Sequence, residues 1–227
     1  DGPYGNGGSR KYMIASCDQS LKRTGLEYFD IFYSHRYDPD TPLEETMQAL
    51  VDIVRSGKAL YAGISNYPHE AAEFAYKYLA ERDVRCLLHQ CKYNIFDREP
   101  ETDGLLRQAK EAGSGFIAYS PLCQGLLTDR YLNGIPDNSR AAKDFSLKQN
   151  RITPELLGKI RDLNNIAAER GQTLAQMALA WDLKDDLVTS VIIGASSLEQ
   201  LQSNLQAIKN TDFSQEELAA IDEIVKR

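Results

Sequence analysis

The chain predicts a parallel α/β sheet covered by helices, wound as a (β/α)8 barrel, and three observations carry that prediction. Short apolar runs alternate with amphipathic helical segments, polar residues gather at the C-terminal ends of those runs, and the last run opens into a helix start suited to a phosphate. Alternation of strand and helix at this length makes a parallel sheet. A doubly wound sheet shares the alternation. The barrel is favoured because Ser34-His35, Ser65-Asn66, His89-Gln90, Tyr119-Ser120 and Gly194-Ser196 all end strands, and barrel sites occupy that rim.

The elements follow in order. The glycine-rich opening, residues 1–8, follows no strand, so it lacks the context of a dinucleotide fingerprint and is read as a surface loop. Strands are expected over 29–34, 59–65, 86–93, 115–121 and 189–195. Thr41-Pro42-Leu43-Glu44 reads as a capping box opening a helix with Leu43, Met47, Leu50, Val51 and Val54 on one face, closed by Gly57. Asn66 is expected to cap the helix that Pro68 opens, and Leu105, Leu106 and Ala109 mark another before Gly113. Thr153-Pro154 starts a helix bearing Leu156, Leu157, Ile160 and Leu163. Leu174, Met177, Ala178 and Trp181 form the next apolar stripe, with Met177 read as core. Ser214 to Glu217 is a further capping box, opening a terminal helix through Leu218, Ile221 and Val225.

The segment from Ser190 to Asn204 is the most informative. Val191-Ile192-Ile193 leads into Gly194-Ala195-Ser196, where Gly194 permits close approach of a phosphate to the backbone. Ser197 with Gln200 reads as a capping box whose free N–H groups favour an anion. Gln200 and Asn204 lie one helical turn apart and could face one heterocycle. Leu198, Leu201, Leu205 and Ile208 equally read as an amphipathic helix packed on a core, and the two readings use different faces.

Composition bounds the rest. With 227 residues, 42% hydrophobic and 26% charged, the chain has material for one large domain, 1–227. A net charge of −7 without a long basic run argues against a nucleic-acid surface. No run approaches the length of a membrane span and no signal segment opens the chain, so a cytoplasmic, membrane-free protein is expected. Cys17, Cys86, Cys91 and Cys123 form no CxxC pair, and with His35, His69 and His89 they make no zinc spacing, so free buried thiols and no metal are expected.

The order and spacing of several motifs resemble the aldo-keto reductases, in the branch of bacterial glyceraldehyde-3-phosphate reductases and voltage-gated potassium channel β-subunits. The motifs are Gly25-Leu26-Glu27-Tyr28-Phe29-Asp30-Ile31, Ser34-His35, Gly57-Lys58 leading to Gly63-Ile64-Ser65-Asn66, and Gln90. Tyr119-Ser120-Pro121-Leu122 with Gly125-Leu126-Leu127-Thr128, Gly134-Ile135-Pro136, and Gly194-Ala195-Ser196 complete the set. The resemblance covers essentially the whole chain and implies that its strands are the fourth to eighth of the barrel, the N-terminal third being absent.

It further implies NADPH-dependent reduction of a small carbonyl compound, such as glyceraldehyde 3-phosphate or methylglyoxal, by hydride transfer. Ser65, Asn66 and Gln90 match the carboxamide positions, and Tyr119 matches the aromatic that stacks on the nicotinamide. Ser120, Leu122, Cys123 and Gln124 match the pyrophosphate loop, with Arg130 and Arg140 as phosphate contacts from the long loop. Gly194, Ser196, Gln200 and Asn204 match the adenosine 2′-phosphate and adenine site, where Ser203 departs from the usual acidic residue. His35 matches the histidine that orients the carbonyl. The family's Tyr, Lys and Asp have no counterpart in this chain; the resemblance places them upstream of Asp1, so little activity is expected of the chain alone. His69 and His89 match nothing and are read as structural. A homo-oligomer is expected, and the alternative to an enzyme is a nucleotide-binding regulatory subunit.

Overall fold

Apolar runs that alternate with amphipathic segments can bury both faces of a sheet only if the segments cross over it as helices. The computed structural model describes residues 7–132, 134–136, 142 and 148–227. Its strands are β1 (Phe29–Ser34), β2 (Ala59–Ser65), β3 (Cys86–Lys92), β4 (Gly115–Tyr119) and β5 (Ser190–Ile192). The helices are α1 (Arg10–Thr24), α2 (Leu43–Arg55), α3 (His69–Ala80), α4 (Glu99–Thr102), α5 (Leu105–Glu111), α6 (Pro154–Glu169), α7 (Leu174–Asp182), α8 (Leu198–Leu205) and α9 (Gln215–Lys226). The strand order is β1-β2-β3-β4-β5, with β1–β2 and β2–β3 paired in parallel. A doubly wound sheet reverses direction at a switch point. Here each strand lies beside its predecessor, which is the winding of a barrel.

The first two strands have the expected bounds. β3 stops one residue short of the expected 93, at Lys92. β4 stops at Tyr119 rather than 121, because Ser120 turns to φ +57° and Pro121 has no N–H to give the ladder. β5 keeps only three residues of the expected 189–195 and lies at the edge of the sheet.

The chain packs as two compact units, Asp1–Cys91 with Glu99–Ile117, and Lys92–Arg98 with Ala118–Arg227. In the first, β1 and β2 pair from Phe29 opposite Ala59 to Ser34 opposite Ile64. Helix α2 buries Met47, Leu50 and Val51 as its periodicity requires. Its start differs from expectation: Pro42 occupies the cap position without a side-chain bond, and the Thr41 hydroxyl donates instead to Asp38 Oδ2 at 2.7 Å. Helix α1 was not expected. Ser9 caps it and Gly25, at φ +71°, ends it, but only Met13 and Cys17 are buried along its 15 residues, too thin a stripe to read from sequence. Residues 1–6 of the glycine-rich opening lie outside the described residues; Gly8 N–H donates to Asp38 Oδ2 at 2.7 Å and the Gly8 carbonyl accepts from the Thr46 hydroxyl at 2.7 Å.

Gly63 sits opposite Tyr33, and a Cβ there would stand 2.7 Å from Cδ1 and Cε1 of that ring. Gly63→Ala is therefore expected to cost about 1–3 kcal/mol in urea unfolding, the usual range for overpacking. With Tyr33→Ala already in place, the same substitution should be nearly neutral, and an equal cost in both backgrounds would refute the contact as its origin.

In the second unit, α6, α7 and α9 supply the core through Ile160, Leu163, Leu174, Met177, Trp181, Ile221 and Ile224. Thr153 caps α6 with Pro154 in its first turn, and Ser214 with Glu217 forms the expected capping box on α9. Thr173 with Gln176 forms another on α7.

Candidate functional site

The C-terminal end of β1 and the ends of β2 and β3 bring four predicted residues together in the first unit. Asn66 joins them. Its Nδ2 donates to the His35 carbonyl at 3.1 Å and to Ser65 Oγ at 3.0 Å, and its backbone N–H donates to the Gln90 carbonyl at 3.0 Å. Asn66 holds φ +55°, a left-handed conformation that Asn tolerates better than most residues. This corrects its predicted role as a helix cap, because the cap position of α3 is Pro68 and carries no side-chain bond. Ser65 is buried, Asn66 and Gln90 are half-buried, and His35 is exposed.

Behind this group, the Ser34 hydroxyl and Tyr67 OH are 2.7 Å apart and both residues are buried. Sequence reading missed Tyr67. Burial pushes its phenol up to about 12 against the lowering hydrogen bond from Ser34, so it is a weak acid and a firm structural strut. In the same unit a cleft of about 410 Å³ is lined by His35, Arg36, Tyr12, Tyr33 and Tyr37 among others, a volume that suits a small molecule.

The turn after β4 holds the next group, in the second unit. Tyr119, half-buried, ends the strand, and its carbonyl accepts from Tyr93 N at 3.4 Å. Ser120, Cys123 and Gln124 have φ of +57°, +45° and +59°. The Ser120 carbonyl accepts from Cys123 N at 2.9 Å, and the Leu122 carbonyl accepts from Gly125 N at 2.8 Å and from Leu127 N at 3.2 Å. Burial, with Asp97 nearby, pushes the Cys123 thiol up to about 11; its Sγ lies 3.7 Å from Asp97 Oδ2. Burial alone would raise Asp97, but hydrogen bonds from Lys92 and Asn94 hold it below the usual carboxylate range. Asn94 is the second residue that sequence reading missed. Its signal was the Asn94-x-x-Asp97 spacing of an Asx turn just beyond β3.

Arg130 is exposed in the short 3-10 turn Asp129–Tyr131, where its N–H donates to Thr128 Oγ1 at 3.2 Å. Arg140 lies outside the described residues. Cys17, Cys86, Cys91 and Cys123 are buried free thiols. No helix among the described residues is long and apolar enough to cross a membrane.

Helix α8 departs from expectation in three ways. Ser197 caps it by accepting from Gln200 N at 3.2 Å, but Gln200 Oε1 returns to Ser196, accepting from its N–H and its hydroxyl at 2.9 Å each, so the capping box is not closed. Gln200 is exposed, with its Oε1 engaged by Ser196, while Asn204 is buried, so the two amides differ in their access to a ligand. Leu198, Leu201, Leu205 and Ile208 are exposed at 64%, 38%, 50% and 66%, and so do not pack on a core. A Cβ at Gly194 would meet no atom within 4 Å, which leaves open the space a phosphate would need.

A family model described as "Aldo/keto reductase family" matches residues 1–226. L-glyceraldehyde 3-phosphate reductase of Escherichia coli K12 is 54% identical over 98% of this chain, and the chain spans 65% of that relative's length. The corresponding protein of Escherichia coli O157:H7 is 53% identical, with the same 65% spanned. A Schizosaccharomyces pombe protein named for a voltage-gated potassium channel subunit beta is 37% identical over 98% of this chain and 67% of its own length. The crystal structure of a thermostable aldo-keto reductase with the inhibitor epalrestat matches 96% of this chain and 67% of its own, at TM-score 0.71 and 30% identity.

Proposed function

The chain belongs to the aldo/keto reductase family, and on that premise we propose that it binds NADPH and takes part in reducing small aldehydes or ketones by hydride transfer. The observation that carries this reading is backbone strain. Among the described residues, five that are not glycine have positive φ, and four of them, Asn66, Ser120, Cys123 and Gln124, are positions predicted to touch the cofactor. Such conformations cost about 1–3 kcal/mol each and persist where function requires them.

Two further features fit the group. Gln124 Oε1 is buried without a hydrogen-bond partner, and the open space at Gly194 would admit a phosphate beside the backbone. When bound, NADPH would supply the hydride. The chain's own groups bind and orient. Ser65, Asn66 and Gln90 would hold the carboxamide, Tyr119 would back the nicotinamide ring, and Ser120, Leu122, Cys123 and Gln124 would follow the pyrophosphate. Ser196, with Gln200 and Asn204, would meet the adenosine 2′-phosphate and adenine, and Arg130 and Arg140 would add charge at the phosphates. His35 would donate to the carbonyl oxygen of a compound such as glyceraldehyde 3-phosphate or methylglyoxal. In this reading the five strands take the places of the fourth to eighth of the barrel.

Thermal unfolding with NADPH and with NADH tests the reading. NADPH at about 100 times its Kd should raise Tm by about 5–10 °C, and NADH at the same concentration by much less. Gly194→Ala should leave the unliganded Tm unchanged and weaken NADPH. Absence of saturable NADPH binding would overturn the proposal. Aldehyde-dependent oxidation of NADPH by this chain would favour the reductase over the nucleotide-binding regulatory reading.

A further inference from the structure

We infer that Asn94 is a positioning residue that sets the conformation of the turn from Tyr119 to Gly125 for the cofactor; the inference rests on the NADPH reading above. Asn94 is fully buried. A primary amide has two N–H donors and an oxygen with two acceptor sites, and all four are used. Asn94 Oδ1 accepts from Phe96 N and Asp97 N at 3.0 Å each. Asn94 Nδ2 donates to Asp97 Oδ2 at 3.0 Å and to the Ser120 carbonyl at 2.9 Å. Three of the four bonds stay within the local turn. The fourth crosses to the strained one.

Ser120 needs that restraint for two reasons. Its φ of +57° disfavours any residue with a Cβ, and Ser120 stands before Pro121, where extended backbone is preferred. Once the Ser120 carbonyl is fixed it also receives Cys123 N at 2.9 Å, which closes the turn on Cys123 and Gln124, both left-handed. The far end is fixed from the same side: Cys123 Sγ lies 3.7 Å from Asp97 Oδ2, and Lys92 Nζ donates to Asp97 Oδ1 at 2.8 Å. Asn94 and Asp97 thus hold the first and second halves of one turn. Without the Asn94 N–H groups, Ser120 is free to return to extended backbone, and residues 122–124 are carried away with it.

Asn94→Ser tests this with the fold preserved, because its hydroxyl oxygen can still accept from Asp97 N but is too short to reach Ser120. NADPH affinity is measured beside that of adenosine 2′,5′-bisphosphate, which in this reading uses only the segment from Gly194 to Asn204. NADPH should weaken about tenfold, while the bisphosphate stays within about twofold. Adding Ser120→Gly, which adopts positive φ without steric cost, should recover part of the lost NADPH affinity. Unchanged NADPH affinity in Asn94→Ser, or equal loss of both ligands, would overturn the inference while leaving the NADPH reading intact. Failure of the unsubstituted chain to bind either ligand would overturn both.

Discussion

Asp182→Leu is expected to stabilise the protein by about 1–3 kcal/mol, the usual cost of a buried polar group without partners. Asp182 ends α7 with no exposed surface, and neither carboxylate oxygen has a hydrogen-bond partner. Burial drives its pKa well above the ordinary 3.8, and the charges of Lys184 and Arg98 lower it without cancelling the shift. The folded state therefore holds a proton that the unfolded state releases. Stability on this account is greatest below the ordinary value and falls as pH rises from about 4 through the folded pKa. Leucine, of similar size and without charge, removes both the cost and that slope. Urea unfolding at a series of pH values checks both. A variant less stable than the parent at neutral pH would show that the carboxylate has a partner in solution.

The sheet was legible because its signals are local. β1 and β2 carry their periodicity and turn residues within a few positions, and the boundaries expected from them hold. What sequence could not show was any choice between partners. Thr41 and Asn66 look like helix caps, but Asp38 offers Thr41 a carboxylate, and the His35 carbonyl and Ser65 hydroxyl offer Asn66 two acceptors. Periodicity put Leu198, Leu201, Leu205 and Ile208 on one face of α8 and its continuation, yet it could not say whether anything covers that face. In the candidate site, motif order was enough to nominate Asn66, Ser120, Cys123 and Gln124, while nothing in the motif announced that all four would be left-handed. Asn94 and Tyr67 were missed for a common reason. Each makes a bond to a residue 26 or 33 positions away, and the Asx-turn spacing at Asn94 announces only its local bonds.

His89 should contribute about 3 kcal/mol of stability that is lost between pH 6.5 and 4, and His89→Gln should remove that contribution. His89 is fully buried on β3, with Nδ1 2.6 Å from Tyr76 OH and Nε2 3.2 Å from Cys91 Sγ. A neutral ring serves this chain with one donor and one acceptor; an imidazolium would need both neighbours to accept. Burial lowers the pKa of His89 from its ordinary 6.5 to about 4, and raises that of Cys91 to about 11, so the thiol stays protonated. The sign is opposite to that of Asp182. Here the unfolded state takes up the proton first, so stability is complete above 6.5 and is lost as pH falls toward 4. The two residues share no partner, so their effects should add. Over the overlapping window each masks the other in the parent protein, and each substitution exposes the slope of the group that remains. In Asp182→Leu stability should rise with pH from 4 to 6.5, and in His89→Gln it should fall. A His89→Gln protein that still loses stability on acidification would place the responsible group elsewhere.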